Sequence, residues 1–566
     1  MAGKKSKQAL DAPEILELQY QLAELPSSQH RAGLAGLCLM VDWLNLQPNR
    51  KGICEVERTA YGASLRINQQ GLAELFDEIY AASLEEQERP QPLKNGRTKA
   101  VIPPLREETR QSLDPKTGKV KEKTVYIYES VIPRGGLLLS NDPTADGRNG
   151  AWIKLWRDVI WSIFRGVPAT RAPFDDRAQG NPPTDALDIW QDLIQQPDHV
   201  VPLPSTYFIG AQANNAENVP FKDRARHQFL LHFWPYTAQI YVPAVINNEG
   251  DREFVGYALA IPDIANLAIY CEEFLPLLRG RGKELSGYRP RDCVVDLAIE
   301  SALDTFRRLR DRLRMREGEA STSDLLLGVD IVHVDKQGNN IRLLGCTRVD
   351  PEAEMIDQYA QFRDSLWSPL FRRQRLLNLF NHSSWHAGFD GLMSKLPYEQ
   401  TIGNSYFRRD ARESFSFEVK AMNQQTNGSI DEAEGNDLSL QEDVNQEALI
   451  YRVVGNYLRF KLKSKHQLEW KDAWRGAKDN KPSELKEYEE KKTKLAREAF
   501  LAIRSRTGQD FIDYFVSTLC SVSQGMNERR FIALTHALVN ETDNVRTLTM
   551  LALAAQTPNP QKTTAA

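Results

Sequence analysis

A chain of 566 residues, 41% hydrophobic and 26% charged, is too long for one core and predicts about two to four domains. No apolar run approaches the roughly 20 residues of a membrane helix, and with no apolar segment behind the basic tip Met1-Ala-Gly-Lys-Lys-Ser-Lys no signal peptide is expected. A net charge of −4 excludes a protein that coats nucleic acid wholesale, but not one that binds it on a local basic face.

In chain order, Leu16, Leu18, Tyr20 and Leu22 alternate with polar neighbours, the period of a half-buried strand. Pro26-Ser27-Ser28 breaks it, and either serine can cap a helix starting near Gln29. Ala32, Gly33, Ala35 and Gly36 are small enough to admit a neighbouring backbone, and Leu37 to Leu44 are apolar on nearly every side, so this helix is expected in the core. Gln29, His30 and Arg31 are its exposed polar candidates; otherwise residues 16–44 read as scaffold. A strand over 58–68 and an amphipathic helix over 71–86 follow. The polar stretch 89–123 holds a basic hairpin tip, and Lys94, Arg97, Lys99, Lys116, Lys119, Lys121 and Lys123 are candidate phosphate ligands, with a solvated loop as the alternative. A strand over 124–132, an apolar helix over 151–166 and a loop over 168–183 come next.

From 207 to 262 the pattern is β, with strands near 207–210, 227–234, 238–245 and 254–260. Helices over 262–279 and 292–317 flank a basic glycine loop whose Arg279, Arg281, Lys283 and Arg289 are further phosphate candidates. Arg307, Arg308, Arg310, Arg312, Arg314 and Arg316 line the outer face of the second helix. A hairpin (325–334, 341–349) and a basic helix over 362–380 complete the body. Past 420, MNQQTNGSIDEAEGN has no periodicity and reads as a linker, and everything beyond is helical: 441–465, 483–507, 510–522, 527–540 and 542–555. The fold class is α+β, with a mixed body of antiparallel strands and helices followed by an all-α bundle. The expected division is 1–205, 206–420, an acidic linker 421–440, and a bundle 441–566. Arg452, Arg459, Lys461, Lys463 and Lys465 make the first bundle helix basic, a nucleic-acid contact or a solvated face.

Motifs of catalysis are missing: there is no P-loop, H-E-x-x-H or G-x-S-x-G. Six cysteines, none in a C-x-x-C pair, suit free thiols in a reducing cytoplasm better than zinc or disulfides. No cofactor or metal is expected. His382 and His386 have i, i+4 spacing but sit in loop-like sequence, and His227 with His232 could in principle serve acid–base RNA cleavage. These two pairs define the alternative, a stand-alone nuclease. The most informative stretch is 211–226, where Gln212, Asn214, Asn215 and Asn218 precede Lys222, Arg224 and Arg226. Amide side chains pair with adenine edges while Lys and Arg hold phosphates; plain turn chemistry is the other reading of the asparagines.

Residues 16–44, together with Tyr207-Phe-Ile-Gly-Ala-Gln-Ala-Asn-Asn-Ala-Glu-Asn-Val-Pro-Phe and Phe229-Leu-Leu-His-Phe-Trp-Pro, resemble the large subunit of type I CRISPR effector complexes (Cascade). The likeness is to the myxan or type I-B variety, with transposon-borne relatives among them. The resemblance implies a non-catalytic cytoplasmic subunit that sits at the guide RNA's 5′ end, reads a short flanking motif in duplex DNA and supports strand opening. Its implied partners are guide RNA, target DNA, the backbone, 5′-handle-binding and small subunits, and a helicase-nuclease or a transposition adaptor. It further implies that the helical C-terminal block is similar to the small subunit and can be made separately from an internal start, for which Met422 stands in place.

Overall fold

The alternation over Leu16–Gln21 is realised as a strand with Leu16, Leu18 and Tyr20 buried and the residues between them exposed. The structure, a computed structural model, describes residues 15–94, 98, 100–113, 120–139, 150–165, 168–183, 185–203, 208–209, 221–247, 252–278, 284–286, 289–316, 321–338, 340–427, 445–470, 472–473, 482–522 and 526–557. The opening strand pairs antiparallel with Gly62–Ile67, which pairs with Cys54–Arg58. Residues 58–68 are therefore the last residue of one strand and the whole of another, joined by a turn in which the Thr59 amide donates to the Gly62 carbonyl at 2.8 Å. The next helix, Gln69–Ile79, is capped by the Asn68 side chain on the Gly71 amide and stops well before 86, because Ala82–Arg89 is a strand.

Helix Ser28–Asn45 is buried along most of its length. A Cβ added to Gly33 would lie 2.3 Å from the Leu230 carbonyl oxygen, and one on Gly36 2.4 Å from that of Phe233. The small residues thus admit a backbone, and it is the backbone of 225–237. That segment is a helix, Ala225–Leu230, and a 3₁₀ turn, Trp234–Tyr236, not the strand expected over 227–234. Its apolar side chains fall on all sides, which periodicity reads equally as a doubly buried strand. The helical turn brings Phe229 and Phe233 together, ring centroids 5.2 Å apart, a contact that a strand would not make.

The opening helix also packs on Tyr257–Ile264, a strand buried at all 8 positions. This strand sits between Gln239–Ile246 and Leu326–Gln337 in an antiparallel sheet that continues to Asn340–Val349. A separate arm pairs Ala82–Arg89 and Arg106–Leu113 to either side of Val120–Pro133. The 168–183 stretch is not all loop, since Ala172–Ala178 is helical with proline in its first turn.

Two compact units result: Met1–Val245 with Phe254–Ala353, and Ile246–Glu253 with Glu354–Ala566. A boundary at 205 would cut the first unit. In the second, Ser405–Asn427 stays helical through 421–427, where a linker is expected, while 428–444 lies outside the described residues. Helices Ser405–Asn427, Gln446–His466, Pro482–Arg504 and Glu528–Asn540 pack around Thr542–Gln556, in which every residue from Val545 to Ala555 is buried. The α+β class holds, with the antiparallel sheets towards the N-terminus and helices after them.

Candidate nucleic-acid interface

The amide-rich residues Gln212, Asn214, Asn215 and Asn218 lie outside the described residues, but both roots of their loop are described. On the near side, Gln29 holds Ile209 by both main-chain groups, its amide donating to the carbonyl at 3.1 Å and its oxygen accepting from the N–H at 3.1 Å. On the far side, Lys222–Arg224 pairs with Val200–Pro202. Here the Asp223 carboxylate accepts from His30 Nε2 at 2.8 Å and from His227 Nδ1 at 3.1 Å. With Nε2 of His30 donating, its Nδ1 is the acceptor for the Ser27 hydroxyl, 2.8 Å away. Ser27 therefore spends its side chain on His30 instead of capping the helix. Burial alone would raise the Asp223 carboxyl, but hydrogen bonds from His227, His30 and the Arg224 amide hold it well below the usual carboxylate range.

Gln29 and His30 are thus buried, not exposed as expected. Arg31 is tied down too: it donates to the Leu22 carbonyl at 2.9 Å and pairs with Asp263, which Arg348 also reaches at 2.7 Å. These three side chains are thus engaged within the protein, on Ile209, Asp223 and Asp263.

Of the basic residues after the loop, Lys222 is exposed and Arg224 is exposed beside Asp198 at 3.4 Å. Arg226 turns inward, over the Tyr20 ring and 3.2 Å from Asp198. Lys94 is exposed at a bridge with Val101. Arg97, Lys99, Lys116, Lys119, Arg279, Arg281 and Lys283 lie outside the described residues; Lys121 and Lys123 are on strand Val120–Pro133, with side chains outside them. Arg289 covers the Phe254 ring at 4.7 Å. Two rows of arginines, one on the arm and one on the outer face expected to be basic, are neutralised internally. Arg106 and Arg110 on the arm interleave with Glu86, Glu88 and Glu108. On helix Glu300–Leu313, Arg307 and Arg308 share the fully buried Asp304, while Arg312 and Arg316, just beyond it, take Glu273.

In the second unit Arg452 and Lys465 are exposed, and Lys461 lies over the Tyr457 ring at 5.7 Å. Lys463 pairs with Glu469 at 2.7 Å, and Arg459 donates to the Gly455 carbonyl at 3.2 Å. Neither histidine pair makes a reaction centre. His227 serves Asp223, whereas His232 lies 3.1 Å from the Tyr80 hydroxyl, with burial and then Arg165 keeping its ring neutral. His382 and His386 are in turns, and burial pushes His386 down to about 4. Among the described residues no group of three or more His, Cys, Asp or Glu side chains could hold a metal, and no described helix is long and apolar enough to cross a membrane.

These two units fall in the class of CRISPR effector large subunits. Residues 53–319 match the model of the Type I-B CRISPR Cas8b N-terminal domain, and residues 326–556 that of the Type I-B CRISPR Cas8b C-terminal domain. The chain belongs to the Cas8b family, whose context is a Cascade complex. Among curated proteins none matches it.

Proposed function

We propose that this subunit reads the target-flanking motif in duplex DNA through Gln212, Asn214, Asn215 and Asn218, with Lys222 and Arg224 on the adjoining phosphates. The observation that carries the reading is the rooting of the loop: Gln29 fixes Ile209, and Asp223 is fixed by His30 and His227. A reading loop held at both ends on a buried helix presents its amides at lower ordering cost than a free one. In this reading the chain does no chemistry. It binds the guide RNA's 5′ end beside the backbone, 5′-handle-binding and small subunits, steadies the opened duplex, and helps recruit a helicase-nuclease or transposition machinery. Lys94, the arm-tip lysines and the 279–289 loop supply further phosphate contacts.

Replacing Asn214 and Asn215 with alanine is expected to remove preference for the flanking motif, a change of about 10- to 100-fold for one or two lost base contacts. Affinity for arbitrary duplex stays. Competition binding at fixed salt measures both, and equal loss of both affinities, or of neither, contradicts the reading.

A further inference from the structure

Helix Pro482–Arg504 turns Leu485, Tyr488, Leu495, Ala496, Ala499 and Phe500 towards the core of its unit. Lys492 stands in the same stripe, four residues after Tyr488 and three before Leu495. Among the described residues it makes no hydrogen bond and no ion pair. Its charged neighbours are Arg412 and Arg459, on two other helices, and Glu489 one turn back. Arg412 donates to the carbonyls of Ala555 (3.0 Å) and Thr557 (2.9 Å), where helix Thr542–Gln556 ends. Arg459 donates to the Gly455 carbonyl at 3.2 Å, and a Cβ on Gly455 would meet the Gln556 amide at 3.1 Å. Three cations and one carboxylate therefore share one end of the bundle.

Like charges gathered at a half-buried place oppose folding unless an anion joins them. Burial, with Arg412 and Arg459 beside it, pushes Lys492 down to about 8, and burial pushes Glu489 up. One turn before Lys492, the Tyr488 ring lies 5.5 Å from that of Trp470, which is 48% exposed. A cluster of cations, with Lys492 half-buried and Arg459 exposed, near an exposed indole is the pairing that holds an unpaired strand, phosphate on the cations and base on the ring.

We propose that Lys492, Arg459 and Arg412 form a phosphate site, and that its ligand is a phosphodiester of a single nucleic-acid strand whose neighbouring base stacks on Trp470. The inference rests on the reading that this subunit handles opened DNA, and narrows it to one place in the second unit.

The test uses the full chain and an oligothymidylate. Lys492→Met keeps the length and apolar stem of the side chain. It is expected to melt higher than wild type without ligand, and to bind the oligonucleotide with a salt slope smaller by about 0.7, one phosphate contact on a single strand. Trp470→Ala should weaken binding about tenfold with the slope unchanged. Unchanged affinity and slope in Lys492→Met overturn the site. Inorganic phosphate raising the melting temperature of wild type, but not of Lys492→Met, without displacement by the oligonucleotide overturns the strand as ligand. Absence of oligonucleotide binding in wild type, with the duplex motif preference intact, overturns this inference alone; absence of both overturns the motif reading as well.

Discussion

Asp410 shows how one side chain sets a pH response. It is fully buried and accepts the Ser368 amide at 2.6 Å and the Trp367 amide at 2.8 Å, fixing the start of helix Pro369–Phe380. Burial outweighs these hydrogen bonds and pushes its carboxyl up to about 7. Since the folded state holds this proton more tightly than the unfolded one, the group favours folding most at low pH, and that contribution falls as pH rises from about 4 to 7. Asp410→Asn keeps the acceptor and removes the charge, so its melting temperature should gain on wild type across that window and run parallel above it. Thermal melts at several pH values check this; a constant difference from pH 4 to 8 contradicts it. Legibility at this scale was uneven. Lys492 could have been found by asking which charged residue falls in an apolar stripe, because Leu485, Tyr488 and Leu495 are visible in the sequence. The pairing of His30 with Asp223 could not, since the two are 193 residues apart and neither has a local signature.

Among elements, those with long one-sided periodicity were legible, and the short segment 225–236, apolar on several sides, was misread. The helices from Gln446 onward and the hairpin Leu326–Gln337 with Asn340–Val349 fall close to where their spacing places them, whereas Ser405–Asn427 does not. The 225–236 segment did not, because burial from several directions erases the polar phase that separates period 2 from period 3.6. The small residues of the opening helix were informative in another way, predicting a close neighbour without naming it. Gly36→Ala should therefore drive a methyl into the Phe233 carbonyl, 2.4 Å from where the new Cβ sits. We expect a loss of about 3 kcal/mol, measured by urea denaturation; a loss below about 0.5 kcal/mol would show that the two segments separate freely. Arginine rows were the least reliable guide. Composition shows that Arg106, Arg110, Arg307 and Arg308 are cations, but their carboxylate partners become visible only when strands align or a helix turns. What flanks the amide-rich stretch, Gln29 on Ile209 and His30 with His227 on Asp223, becomes visible only in three dimensions.

For the whole molecule, two partitions of the chain do not coincide. The family models meet between residues 319 and 326, yet Leu326–Gln337 pairs with Tyr257–Ile264, so the first compact unit runs to Ala353. The second unit begins upstream of Met422, which lies inside helix Ser405–Asn427. A short product begun at Met422 should appear in C-terminally tagged preparations and vanish with Met422→Leu; a small band that survives the substitution places the start elsewhere. Such a product lacks Phe407, Ala411 and Phe415, all buried, and Arg412, so it should melt below the unit in the full chain unless a partner covers the gap. The buried helix Thr542–Gln556 has a consequence in time. Ribosomes deliver the helices from Ser405 onwards before the one they surround, and at typical speeds the wait is roughly ten seconds or more. Throughout it the faces that pack on Thr542–Gln556 stay uncovered, although these helices can already meet one another. Nascent-chain handling, more than final stability, should limit the yield of this subunit.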